Sequence, residues 1–138
     1  MKPLAMRIDP ADPRPIYVQV MDELRRAIAT GALAPGDPVP SIRDAARQLR
    51  INPLTVKQAY GELEREALVE VRRGLGTYVR ANVSAEATRE VVAHTVAERA
   101  LRDAYRNGVS VRALLLAIRA IARSGDSQAR SSGKRERR

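Results

Sequence analysis

The sequence predicts a mainly α-helical chain with one small β-hairpin, and three observations predict it. Apolar residues recur at three- and four-residue spacing over Ile16 to Thr30, again over Ile42 to Leu49, and again from Val56 to Leu63. After Leu68 the period drops to two, with Val69 and Val71 alternating with Glu70 and Arg72 before Thr77, Tyr78 and Val79 return. Between those two runs stands Arg73-Gly74-Leu75-Gly76, a hairpin tip with two glycines. Two short helices joined by a tight break and followed by a hairpin describe a winged helix-turn-helix, and two further helical stretches follow it.

Each element has a local cause. In the first long helix, Val18, Val20, Met21, Leu24, Ala27 and Ile28 form an apolar stripe; Pro13 and Pro15 set its start and Gly31 its end. Ala32 to Asp37 is a turn, because Pro35-Gly36 suits the two central positions of a type II turn. An extended piece, Pro38 to Pro40, leads to Ser41, whose hydroxyl can cap a helix carrying Ile42, Ala45, Ala46 and Leu49 inward. Ile51-Asn52-Pro53 breaks that helix. The next buries Val56, Ala59, Tyr60 and Leu63 and leaves Leu54, Thr55, Lys57, Gln58 and Gly61 largely outward. In a helix-turn-helix this outward face is the one that enters a major groove.

Beyond the hairpin, Ser84 to Arg106 has an Ala/Val stripe through Val92, Val96, Ala100, Leu101 and Ala104, and Asn107-Gly108 stops it. Ser110 caps a last helix in which Val111, Leu114, Leu115, Ile118, Ile121 and Ala122 share a face. A helix pair this small cannot enclose its own core, so an apolar face must pack on something else. Ser124 to Arg138 is polar, without an apolar period, and is expected to be a disordered basic tail. The expected organisation is a winged helix-turn-helix domain over 1–82, a helical region over 83–123 and the tail over 124–138.

Composition narrows the function. The 138 residues suit one compact domain, or a small domain with an appendage, and leave no room for a large effector domain. With no Cys there are no disulfides and no thiolate metal sites, which suits a reducing cytoplasm. No apolar run reaches the ~20 residues of a membrane span, and the N-terminus has no hydrophobic signal core, so a soluble cytoplasmic protein with no membrane partner is expected. With neither Phe nor Trp, the core rests on Leu, Ile, Val, Ala and four Tyr, which makes dimerisation attractive. The net charge of +9 invites a nucleic-acid partner, but 1–82, 83–123 and 124–138 carry +3 each, so net charge alone does not locate the DNA surface. Placement does more: Arg43, Arg47, Arg50, Lys57, Arg72 and Arg73 cluster where the chain is expected to face DNA, whereas Asp22, Glu23, Glu62, Glu64 and Glu66 are expected to fall away from it.

The segments PIYVQV, LRRAIATGALAPGD, PSIRDAARQLRINPLTVKQAYGELE and LVEVRRGLGTYV, along a stretch running from Pro15 to Arg80 without a gap, resemble the GntR family of bacterial transcriptional regulators. The short C-terminal part resembles the family's YtrA branch in size and helical pattern. The resemblance implies that Arg43, beside the capping Ser41, contacts phosphate or a guanine edge, and that Asn52, Pro53, Leu54, Thr55 and Lys57 begin the recognition helix. Leu54 and Thr55 offer only methyl surface and a hydroxyl, so base discrimination falls to Lys57 or Gln58; a surface glutamine is also common without any such role. Arg72, Arg73, Gly74 and Gly76 correspond to the wing, where glycine lets backbone approach the sugar-phosphate chain and an arginine can enter a narrow minor groove. The resemblance also implies that the C-terminal helix pair meets its copy in a second subunit, through Leu101, Val111, Leu114, Leu115, Ile118 and Ile121. One position departs from the family pattern: Glu66-Ala67-Leu68 stands where Glu-Gly-Leu is usual. Either Ala67 takes the left-handed conformation, at ~1 kcal/mol relative to Gly, or the helix end relaxes.

No catalytic residues, metal ligands or cofactor are expected. His94 is the only histidine and lies on an Ala/Val helix, and no nucleophile elbow, phosphate loop or metal constellation is present. The expectation is a homodimeric repressor of a palindromic double-stranded operator, and kinship with the YtrA branch suggests a neighbouring ABC transporter operon as its target. Any small-molecule effector has only the subunit interface, or the space between it and the DNA-binding part, as a place to bind. The alternatives are an architectural protein that binds DNA without sequence preference and a winged helix turned to protein contacts; basic residues at each matching DNA position argue against the latter.

Overall fold

The structure is a computed structural model that describes residues 4–133, with side chains through Gln128. Among the described residues the order is α1 (Ile16–Thr30), α2 (Ile42–Leu49), α3 (Pro53–Arg65), β1 (Val69–Arg72), β2 (Gly76–Val79), α4 (Ala85–Arg106) and α5 (Val111–Gly133). The chain is a mainly helical winged helix with a two-stranded antiparallel hairpin. It divides into two compact units on either side of the Ala93–His94 bond, within α4, where the sequence predicts a boundary at 82.

In the first unit α3 is the centre, packed against α1, α2 and β1. Val20, Leu24 and Ile28 from α1, Val56 and Leu63 from α3, and Val69 and Val79 from the strands are fully buried. Removing such a side chain costs ~2–5 kcal/mol, transfer and cavity terms together. Val18, which the sequence places in the α1 stripe, is only half-buried. Gln19 is buried on that helix instead: its Oε1 accepts from the Asp9 N–H at 2.9 Å and its amide donates to the Arg14 carbonyl.

That glutamine fastens a segment the sequence leaves without structure. Residues 4–14 run along α1 as a strap, with Met6 buried and Leu4 and Ile8 packed on the core. The Arg7 N–H donates to Glu23, the Arg26 guanidinium to the Ala5 carbonyl, and the Gln48 amide of α2 to the Leu4 carbonyl. Polar side chains on two helices thus satisfy a backbone that has no ladder of its own.

The helix ends follow from local chemistry. Ser41 Oγ accepts from the Asp44 N–H at 3.0 Å and caps α2, and Asn52 Oδ1 accepts from the Leu54 N–H at 2.9 Å and caps α3, with Pro53 in the first helical position. At the other ends, Ile51 N–H reaches Ala46 O while Arg50 N–H reaches Arg47 O, and Leu68 N–H reaches Leu63 O while Ala67 N–H reaches Glu64 O. Both are Schellman closures, which need a left-handed residue. Arg50 (φ 55°) and Ala67 (φ 60°) supply it, so of the two outcomes open at Ala67 the chain takes the left-handed one.

The hairpin pairs Val69 with Val79 and Arg72 with Gly76. The segment before α2 joins its free side: Val39 N–H donates to Thr77 O and Val79 N–H to Asp37 O, each at 2.8 Å, with Pro38 bridged to Tyr78. The wing is therefore rooted in the turn that launches α2.

In the second unit, Val109 N–H to Ala104 O and Gly108 N–H to Tyr105 O close α4 around Gly108 (φ 69°), and Ser110 Oγ accepts from Ala113 N–H to open α5. Where the sequence predicts disorder from Ser124, α5 continues to Gly133. Lack of an apolar period removes a packing face, not the capacity for i to i−4 hydrogen bonds, and Ala, Arg and Gln favour the helix. The rest of the expected tail, 134–138, lies outside the described residues.

Candidate nucleic-acid interface

Capping decides what the start of α3 offers a phosphate. Pro53 has no N–H, the Leu54 N–H is held by the Asn52 side chain, and the Thr55 N–H reaches the Asn52 carbonyl at 3.0 Å. The helix end keeps its favourable dipole but the Leu54 and Thr55 N–H groups are used, and Asn52 Nδ2, without a partner among the described residues, is a donor available to an anion. Downstream, Lys57 and Gln58 are exposed, Leu54 is 70% exposed and Thr55 is half-buried. These are the side chains α3 presents outward, as its periodicity predicts.

Tyr60 lies on the opposite side, 3% exposed, and its hydroxyl donates to the Pro40 carbonyl at 2.6 Å. This bond ties α3 to the residue before the α2 cap, fixing the two helices of the motif at their open ends. Burial raises the phenol's pKa well above its ordinary value, and the charge of Asp44 adds to the effect. Tyr60 is core, as its spacing with Val56 and Leu63 predicts.

The wing separates its two arginines. Arg72 is pinned: its guanidinium donates to Glu70 at 2.8 Å and lies 4.2 Å from the centroid of the Tyr78 ring. The sequence places Arg72 and Arg73 together as groove contacts, yet Glu70, two residues back on the same face of β1, already holds the first. Arg73 is exposed at the tip with no partner among the described residues. Gly74 (φ 74°) and Gly76 (φ 114°) both occupy backbone conformations that side chains disfavour, and a Cβ at either would meet nothing within 4 Å. They are glycine for conformation and leave a thin profile.

Pairing sorts the charges. Arg14 binds Asp12 and Asp22, Arg25 binds Asp22 and Glu66, Arg26 binds Glu23, Arg65 binds Glu62 and Arg72 binds Glu70. The Asp12 hydrogen bond, with help from Asp22, raises the Arg14 pKa further above neutrality. By contrast, Arg43 and Arg47 on α2, Arg50 at its end, Lys57 on α3 and Arg73 at the wing tip are all exposed and have no carboxylate partner among the described residues. The sequence shows the cluster of positive charge but not which members are already neutralised.

Of the expected dimerisation residues, Val111, Leu115, Ile118 and Ile121 are exposed, Ile121 at 71%, while Leu101 and Leu114 are half-buried. His94 is exposed. Among the described residues no His, Asp or Glu group is arranged to hold a metal, and no helix is long and apolar enough to cross a membrane.

Residues 16–79, from the first residue of α1 to the last of β2, match the profile described as bacterial regulatory proteins, gntR family. The Sulfolobus acidocaldarius structure described as YtrA, a GntR-family transcription factor, is 37% identical with a TM-score of 0.52, covering 65% of this chain and 95% of that one. The chain belongs to the GntR family. Among curated GntR relatives, the transcriptional repressor YtrA of Bacillus subtilis is 43% identical over 77 residues, 56% of this chain and 59% of the relative. The uncharacterised regulator YhcF of the same organism is 42% identical over 66 residues, 48% of this chain and 54% of the relative. The chain thus spans somewhat over half the length of these two relatives. A GntR-family regulator from Listeria monocytogenes has a TM-score of 0.64 at 27% identity, covering 79% of this chain and 96% of that one.

Proposed function

We propose that the protein is a sequence-specific DNA-binding transcriptional regulator that acts as a homodimeric repressor on a palindromic operator. The observation that carries this reading is the sorting of the arginines. The cations of α1, the end of α3 and β1 are held by carboxylates, while those of α2, the start of α3 and the wing tip are not. Arg7, Arg80 and several arginines of α4 and α5 also have no carboxylate partner among the described residues, so the support lies in where the available cations stand on the helix-turn-helix and wing. Unpaired cations on a helix-turn-helix are available to phosphates, and each phosphate neutralised releases condensed counterions. Arg43 and Asn52 serve as backbone anchors, Lys57 and Gln58 as base readers from the exposed face of α3, and Arg73 with its flanking glycines as the groove contact of the wing.

Dimerisation is supported by the α5 stripe, where apolar side chains stand in water on a helix whose sequence keeps them on one face. Likeness to a relative named as a repressor supports the direction of regulation, and the YtrA resemblance extends the proposal to a transporter operon beside the gene. Acting on chromosomal DNA would place the protein in the cytoplasm.

Competition binding tests the reading. With labelled DNA from upstream of its own gene, a specific regulator resists scrambled competitor by ~10³-fold or more. Equal competition by scrambled DNA would instead make it an architectural protein.

A further inference from the structure

Leu75 has its backbone fixed twice and its side chain not at all. Its N–H donates to the Arg72 carbonyl at 2.9 Å, and its carbonyl accepts from the Tyr78 hydroxyl at 3.3 Å. The side chain is 71% exposed. On either side stand Gly74 and Gly76, around whose absent side chains there is open space. Tyr78 is itself held by Arg72 over its ring, so the tip is a braced platform. It displays one isobutyl group beside the unpaired guanidinium of Arg73.

Resting on the DNA-binding reading above, we propose that Leu75 is a minor-groove reader that selects A·T over G·C pairs beneath the wing tip by excluding the guanine 2-amino group. The minor groove is ~6 Å wide, so it admits one side chain from a tip thinned by glycines. Its floor shows only acceptors at A·T pairs, and G·C adds the N2 amino donor. Leucine can neither accept a hydrogen bond from that amino group nor make room for it, so covering it would bury an unsatisfied donor. Apolar side chains are also the type that proteins press into minor grooves, and Arg73 at the groove mouth would favour the stronger negative potential of narrow A·T tracts.

The test uses the full chain and a duplex it selects from a randomised pool. Inosine for guanine removes the 2-amino group, and 2,6-diaminopurine for adenine adds it, each leaving the major-groove edge unchanged. Adding the amino group under the wing should weaken binding about tenfold, and Leu75→Ser should abolish that penalty while keeping the preference at major-groove positions. Since the side chain is free, Leu75→Ser should melt as the parent does; Leu75→Ala serves as a second variant, and the base analogues test the unaltered protein regardless. A parent protein that binds the selected duplex but ignores the amino group throughout would overturn the proposal and leave operator recognition standing, as would a Leu75→Ser variant that still discriminates. A pool that yields no preferred sequence would overturn the operator reading, and this inference with it.

Discussion

Exchanging two small residues, one inside α3 and one just past its end, should stabilise the chain from opposite chemical directions. Ala67 sits at φ 60°, where an L-residue costs ~1–2 kcal/mol, and glycine at that position removes the cost. Glycine also adds freedom to the unfolded chain, which returns ~0.4–1 kcal/mol, leaving Ala67→Gly a net gain of ~0.5–1 kcal/mol. Gly61 lies inside α3, and a Cβ there would meet nothing within 4 Å. Gly61→Ala should therefore gain ~0.5–1 kcal/mol through the backbone alone. The sites are six residues apart and share no hydrogen bond, so the double variant should gain about 1–2 kcal/mol, a melting shift of roughly 4–8 °C for a chain this size. Thermal and urea unfolding followed by circular dichroism at one fixed protein concentration measures it, since self-association would otherwise move the midpoint. Ala67→Gly keeps the backbone where it already is, so DNA affinity should not change. A destabilised Ala67→Gly would refute the Schellman closure at the end of α3, and with it the path by which the chain turns into the wing.

Other expectations follow from the interface. Leu115→Asp, in the middle of the exposed α5 stripe, should give monomers by sedimentation and much weaker operator binding; a variant that stays dimeric removes the α5 face from the subunit contact. Gly76→Val should weaken operator binding by about 1–3 kcal/mol through backbone strain rather than a clash, while the protein stays folded by thermal melting. Arg43→Ala should lower the slope of log affinity against log salt by ~0.9 for a lost phosphate contact, and Arg72→Ala by less because Glu70 already pairs it; Lys57→Ala should instead weaken the preference for the operator over scrambled DNA. Tyr60→Phe leaves the Pro40 carbonyl without its donor and should cost ~1–2 kcal/mol below pH 9. Burial keeps this phenol protonated to higher pH in the folded chain than in the unfolded one, so the unfolded state loses its proton first. Stability therefore falls as pH rises past about 10, and Tyr60→Phe should flatten that fall in urea titrations.

The winged helix is legible in the sequence because its signals are local. Ser41 and Asn52 mark helix starts by residue type, Pro53 suits a first helical position, and the change of period after Leu68 separates strand from helix. What escapes is what depends on partners distant in sequence. The strap leaves one faint mark, the alternation of Leu4, Met6 and Ile8, but its anchors are Gln19, Glu23 and Gln48, which read as ordinary surface residues until the chain folds. Arg50 closes α2 in a conformation that glycine usually announces, so residue type gives no warning. On the interface, positive charge is visible as composition, whereas the division between Arg72, held by Glu70 and Tyr78, and Arg73, left free, needs the hairpin register. The helix beyond Ser124 escapes for a different reason, since an exposed helix needs no apolar period to form.

Footprinting on DNA upstream of the protein's own gene tests the central claim most directly. If the unpaired cations of α2, α3 and the wing tip form an operator-reading surface doubled by a second subunit, protection should fall on two symmetric half-sites about one helical turn, 10–10.5 bp, or a multiple of it apart. Arg43→Ala and Lys57→Ala should erase both halves at concentrations where the parent protects them fully. Uniform coverage with no symmetric boundary, or protection unchanged in those two variants, would contradict the account.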